Sequence, residues 1–250
     1  MLIDDYEIVP SGIASRKQVD RLNAVHARLT VRLVDQIKIP EPGSGFRASN
    51  LIRVYLQAHL RRMLQLVEGA FVEFFDGRGV VAIMCARGLY EGLATVTDFE
   101  RELMPLIRGG DLRKVFQFTK EKAHATKLKH LAEKLDNPNV LAKNVVTMVG
   151  KLKEIRENVP KEYDFLSEIA HPNSIGVINF FADMRNAEDV AYFSESGPDA
   201  RADLQWIFVA AYFLSNFEAV MDRIEAELPA LSARGVAERP KPGDTPPTSG

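Results

Sequence analysis

Two sets of polar residues interrupt otherwise apolar stretches of this chain at helical spacing, and their types could do chemistry. Arg87 and Glu91 stand one turn apart, directly after the apolar run VVAIMCA. Tyr163, Ser167 and His171 are each four residues from the last, which stacks them along one side of a helix. Pro172 disfavours helical geometry at His171, so the imidazole falls at a helix C-terminus, where the dipole attracts positive charge. A protonated imidazole beside a guanidinium suits holding a phosphate or protonating a leaving group. The same residues also have a structural reading. Arg87 and Glu91 can form an intrahelical pair at the solvent edge, continued along one stripe by Asp98 and Glu102. Tyr163, Ser167 and His171 can be a hydrogen-bonded core cluster that fixes how their helix docks.

The elements that must position these groups read as helices. Prolines fall at helix-length intervals, and hardly any stretch alternates as a strand would. A long helix is expected from about Val80 to Ile107. Its first seven residues are apolar all round, which predicts wrapping by other helices; Cys85, Leu89, Leu93, Val96, Leu103 and Ile107 then share one face. Before it, Ser15 opens a first helix with capping-box spacing to Gln18, burying Leu22, Val25, Leu29, Leu33 and Ile37. A second runs from about Ala48 to Phe75, burying Leu51, Val54, Tyr55, Ala58, Val67, Phe71 and Phe74. The turn Asp76-Gly-Arg-Gly79 makes it an antiparallel neighbour of the long helix.

Beyond it, Asp111 is the N-cap of a basic helix from Leu112 to Leu135, and Asn137-Pro138 leads into another from Val140 to Arg156. Pro160 opens the short helix that ends at His171. The stretch 173–196 reads as irregular, with room for a small hairpin. A last helix, about Asp199 to Leu228, carries an apolar stripe that closes the bundle. The expectation is an all-α protein, a single multi-helix bundle of long antiparallel helices over 1–231. From Ser232 to 250 the chain has almost nothing to bury and is expected to be a disordered tail.

Composition narrows the function classes. Basic and acidic residues nearly cancel, 32 against 34, so the whole-molecule field selects no charged partner. Locally the charges separate. Residues 111–161 hold 12 Lys/Arg against 6 Asp/Glu, and 162–230 hold 3 against 13, a division that could orient a homodimer or offer a patch to a polyanion. The lone Cys85 allows no disulfide framework and fits a reducing cytoplasm. MLIDDYEIVP lacks a signal peptide's basic and apolar regions, and the unbroken apolar runs are far shorter than the roughly 20 residues a bilayer needs, so a soluble, cytoplasmic protein is expected. No cofactor or metal is implied; a Glu91–His171 metal site in a small-molecule or metal-binding enzyme stays open as a third reading. His124 and His130, six apart on a helix, lie on opposite sides, and no Gly-rich phosphate loop or Gly-x-Ser-x-Gly elbow occurs. Gly88 and Gly92 beside Tyr90 point to close helix packing.

The pairing of CARGLYE with YDFLSEIAHPNS resembles a group of uncharacterised bacterial all-helical proteins that carry an Arg-x-x-x-Glu helix and a Ser-x-x-x-His-Pro element. It is similar, more distantly, to the HEPN-like superfamily of helical bundles, many of them implicated in RNA cleavage, toxin systems and phage defence. The resemblance spans about 25 residues in two blocks. It implies that Arg87, Glu91, Ser167 and His171 share one polar site in an RNA-binding or RNA-cleaving component of a bacterial defence or toxin system; Tyr163 and Asp98 are read separately, as a further polar cluster. HEPN ribonucleases place a His four to six residues after an Arg. Arg21 with His26 and Arg53 with His59 fit that spacing, but Leu22 and Val54 stand where those enzymes carry a polar residue. His171 has no Arg at that distance, so Arg87 would have to reach it from another helix. The alternative is a non-catalytic bundle that binds a protein partner or assembles as a homodimer.

Overall fold

A computed structural model describes residues 2–3, 6–40, 45–134, 140–183, 190–194 and 199–237. Among the described residues the protein is all-α apart from one two-residue strand pair and an isolated bridge between Thr126 and Leu141. In chain order the helices are α1 (Arg16–Val31), α2 (Gly45–Phe75), α3 (Gly79–Gly109), α4 (Leu112–Ala123), α5 (Lys129–Lys134), α6 (Val145–Lys151), α7 (Val159–Ala170), α8 (Asn179–Phe181), α9 (Ala200–Ala211) and α10 (Phe213–Ala237). A π-helical turn, Ser174–Ile178, precedes α8. Strands β1 (Ala182–Asp183) and β2 (Tyr192–Phe193) pair antiparallel, Ala182 opposite Phe193. That pair is the small hairpin expected in the irregular stretch.

Local signals set many of the helix ends. Ser15 and Gln18 form the reciprocal capping box, with the Ser15 N–H donating to the Gln18 side chain at 2.8 Å. Asp111 accepts the N–H groups of Arg113 and Lys114, and Gly77 takes φ +82° in the turn between α2 and α3, a value that favours glycine. Other boundaries differ from the sequence expectation. α1 stops at Val31, leaving Leu33 and Ile37 half-buried beyond its end. The basic helix breaks at His124 and resumes at Lys129. The next helix starts at Val145, where the Asn144 side chain caps it; the expected start at Asn137-Pro138 lies outside the described residues. The last helix is two, broken at Tyr212, and α10 runs on to Ala237, six residues into the stretch expected to be tail; 238–250 lie outside the described residues.

The chain divides into two compact units. The first comprises residues up to Leu33, Ala58–Asp98 and Lys143–Val220; the second comprises Val34–Gln57, Phe99–Ala142 and the residues from Met221 onward. In the second unit Tyr55 stacks on Phe99, with ring centroids 4.1 Å apart, and Phe99 stacks on Phe118 at 5.4 Å. Ser49 Oγ donates to the Leu228 carbonyl at 3.3 Å and accepts from Ser232 at 2.8 Å, so both buried hydroxyls are satisfied.

In the first unit α2 and α3 pack as antiparallel neighbours, and glycines set how close they come. A Cβ on Gly92 would lie 2.4 Å from Met63 Sδ, one on Gly88 3.0 Å from Leu66, and one on Gly69 3.3 Å from Cys85 Sγ. As the α2 partners advance from 63 to 69, the α3 partners retreat from 92 to 85. Phe71 meets Phe208 edge-on at 5.1 Å, and Tyr90 meets Phe213 at 4.7 Å. The apolar opening of α3 is not wrapped all round. Ala82, Ile83 and Ala86 are buried, but Val81 and Met84 are exposed, because helices cover only one side of that turn. Val54 and Ala58 on α2 are likewise exposed. Residues 79–109 and 200–233 are long and apolar enough on composition alone to cross a membrane, and each apolar window is more than half buried, as core helices are.

Candidate functional site

From residue 143 to 181 the chain runs back alongside α3, and its contacts give the register. Lys151 reaches Asp98 at 2.8 Å, Tyr90 reaches Glu162 at 2.9 Å, Arg87 reaches Tyr163 at 2.9 Å, and Phe180 lies over Gly79, where a Cβ would meet its ring at 2.9 Å. The return segment is thus antiparallel to α3, and the polar residues of both meet along the seam.

At its centre, Arg87 Nη2 donates to the Tyr163 hydroxyl, which donates to Glu91 Oε1 at 2.9 Å; Arg87 also pairs directly with Glu91 at 3.2 Å. The guanidinium carbon sits 5.2 Å from the Tyr163 ring centroid, adding a cation–π contact. Burial pushes the Tyr163 hydroxyl's pKa up, the bond to Glu91 adds to this, and Arg87 opposes it. The hydroxyl therefore stays protonated and remains the donor to Glu91. Arg87 Nε is buried with no partner among the described residues.

One turn further along α3 lies a second set that the sequence did not single out. The buried Tyr90 hydroxyl donates to Glu162, the residue before Tyr163, and Arg156 donates to the same Glu162 oxygen while stacking 5.3 Å over the Phe213 ring. Burial and the neighbouring Glu162 raise the Tyr90 pKa far above the usual phenol range. The signal available in the sequence was the Tyr flanked by Gly88 and Gly92; nothing local marks its partner 72 residues away.

The remaining expected site residues are placed apart from this pair of sets. Ser167 turns its hydroxyl to the carbonyl of Tyr163 in its own helix, at 2.7 Å. His171 caps α7 in extended geometry, as Pro172 requires; its ring is exposed and makes no hydrogen bond among the described residues. It lies eight residues beyond Tyr163, about 12 Å along the helix. Asp98 corrects the expectation of a solvent-edge stripe. It is 4% exposed, gripped by Lys143 at 2.7 Å and Lys151 at 2.8 Å. Burial alone would raise its pKa, but the two lysines outweigh it and hold the carboxyl below its ordinary value.

His26 bonds Glu68 at 2.8 Å, and Arg53 donates to Asn50 at 2.8 Å; His59 is pushed down to about 4 by burial and by Arg62. Among the described residues no group of three His, Cys, Asp or Glu side chains could hold a metal. A further buried carboxyl, Asp203 on α9, is 7% exposed with its oxygen 3.8 Å from where a Gly79 Cβ would sit. Burial and the nearby Asp199 raise its pKa to about 6. Comparisons of the chain with protein families, with curated proteins and with solved structures found no match.

Proposed function

We propose that the protein is a non-catalytic helical binding module in which the Arg87–Glu91–Tyr163 cluster fastens the 143–181 segment to α3. One observation carries this reading: the hydroxyls and carboxylates of the seam are bonded within it, while Arg87 Nε and Arg156 Nε lack a partner among the described residues. Tyr163 and Tyr90 each donate to a carboxylate, both carboxylates are paired with an arginine, and Ser167 bonds its own backbone. A site built to act on a substrate would leave a nucleophile, acid or base directed into open space beside its partners. The seam instead resembles a part-buried polar network that selects one docking geometry.

A second reading, an RNA-binding or RNA-cleaving HEPN-like component of a bacterial defence or toxin system, is favoured by the exposed, unbonded His171 ring two turns along α7 from the Arg87 cluster. A single experiment separates the two. Purified protein and its His171→Ala and Tyr163→Phe variants are incubated with structured and single-stranded RNA, and their unfolding is followed in urea. The module reading expects no cleavage by any form and a loss of roughly 1–3 kcal/mol on Tyr163→Phe, which leaves Glu91 without its hydroxyl donor. Cleavage that disappears in His171→Ala would replace this reading with the second.

A further inference from the structure

Part of the opposite charge of residues 111–161 and 162–230 lies on two particular faces. In α4, Val115 and Thr119 are buried and Phe118 packs on Phe99. That orientation turns Arg113, Gln117 and Lys120 outward on one stripe, and the chain continues through exposed Lys127, Lys129 and Lys134. None of these five cations has an acidic partner among the described residues, whereas Lys122 on the inner side is held by Glu102 at 3.1 Å. Among the lysines, Leu128 is 53% and Leu131 38% exposed, three residues apart. With Glu133 an exposed acid among them, the surface is net basic with an apolar centre.

The complementary surface is on α7 and the turn after it. Asp164 and Glu168 are exposed one helical turn apart, and between them Phe165 is 42% exposed while resting on Trp206 at 5.2 Å. In the following turn Ile175, Val177 and Ile178 are all exposed. This surface is apolar, with the carboxylates of Asp164 and Glu168 at its rim and the exposed Lys161 one turn before Asp164.

We infer that the α4–α5 face of one copy docks on the α7 face of a second copy, with Leu128 and Leu131 against Phe165 and its apolar neighbours and Lys127 and Lys129 against Asp164 and Glu168. The inference names the partner for the binding-module reading and rests on it. Charge complementarity within a single sequence argues for a second copy. The phenylalanines of the basic face offer no exposed platform to a single nucleic-acid strand, which leaves only the imidazoles of His124 and His130 there. Phe116 lies under Arg47, and Phe118 lies between Phe99 and Lys122. Exposed leucines contribute nothing to phosphate binding but match an apolar partner surface. Repeated contacts of this kind close into a ring or a two-fold dimer, or grow into open chains, and each appears as salt-sensitive self-association.

The test is light scattering and sedimentation of the full chain over a concentration series, at low salt and at about 0.5 M, where charges are screened within a few ångströms. Lys127→Glu with Lys129→Glu is compared with Asp164→Lys with Glu168→Lys, and with the four changes together. Asp164→Lys alone serves if the double change on α7 alters the melting curve, since Glu168 also bonds Asn173. Expected are association at low salt, weakening of roughly tenfold or more in either charge-reversed variant, and recovery when both are combined. A chain that is monomeric throughout, or one whose association ignores these reversals, overturns the inference while leaving a binding module with some other partner. Tight binding of a fluorescent oligouridine, lost in Lys127→Glu with Lys129→Glu, overturns it in favour of nucleic acid. Only His171-dependent RNA cleavage removes the reading beneath it.

Discussion

Replacing Asp203 with Asn is expected to stabilise the protein at neutral pH, an unusual outcome for a change at a buried site. The carboxyl is 7% exposed, lies beside Phe180 and Gly79, and receives no hydrogen bond from the described residues. Folding therefore strips most of the water from it without giving it a partner among the described residues, and the charged form suffers. Its pKa rises from 3.8 to about 6. Each pKa unit corresponds to about 1.36 kcal/mol, so the folded state loses up to about 3 kcal/mol when this group ionises. The sign follows from proton binding. The folded state holds the proton more tightly, so the group's stabilising contribution is complete below pH ~4 and is lost as pH rises through about 6. Asn is nearly isosteric and neutral, and it removes that loss. Urea unfolding of both proteins from about pH 4 to 8 should give the Asp203→Asn variant an advantage of about 2–3 kcal/mol at the alkaline end. That advantage shrinks toward zero near pH ~4, where the wild type is itself protonated. A variant less stable than wild type at pH ~8 would refute the reasoning, because it would mean that the carboxylate is charged and well partnered.

Two further outcomes follow from the same seam. Asp98 behaves in the opposite sense to Asp203: its pKa is depressed, so its contribution is present above the ordinary carboxylate pKa and is lost as pH falls through the lowered value. Asp98→Asn should cost about 1–3 kcal/mol at neutral pH and little in acid, read by urea unfolding under both conditions; the half-exposed lysines keep the figure below that of a fully buried pair. Gly176→Ala should be far more damaging than Gly109→Ala. A Cβ at 176 would lie 2.2 Å from the His171 carbonyl and 2.4 Å from that of Ile169, backbone atoms that cannot yield, whereas at 109 nothing lies within 4 Å. A shift to lower melting temperature worth more than ~2 kcal/mol is expected for the first and less than ~1 for the second.

The helical class, the capping box at Ser15, the N-cap at Asp111, the glycine turn before α3 and the extended His171 before Pro172 were all legible in the sequence. Each depends on residues within four positions of one another, and local geometry alone decides them. The α2–α3 antiparallel pairing was legible too, since a four-residue turn leaves long helices no other arrangement. The polar seam was readable only in part. Arg87, Glu91 and Tyr163 announced themselves as polar interruptions of apolar helices, but their spacing could not say whether they face solvent, a substrate or each other. That depends on which segment lies across from α3, a question that periodicity along one helix leaves open.

What the sequence by itself determined is therefore where many of the helices start, stop and turn, because hydrogen bonding and dihedral preference act between near neighbours. What only the tertiary structure decided is which charges meet. Asp98 became a buried hub because Lys143 and Lys151, 45 and 53 residues downstream, fold onto it, and Tyr163 was drawn to Arg87 and Glu91 while His171, at the end of the same helix, was left in water. A charge removed from water requires a partner, and nothing in the local chain names that partner until the return segment is laid against α3.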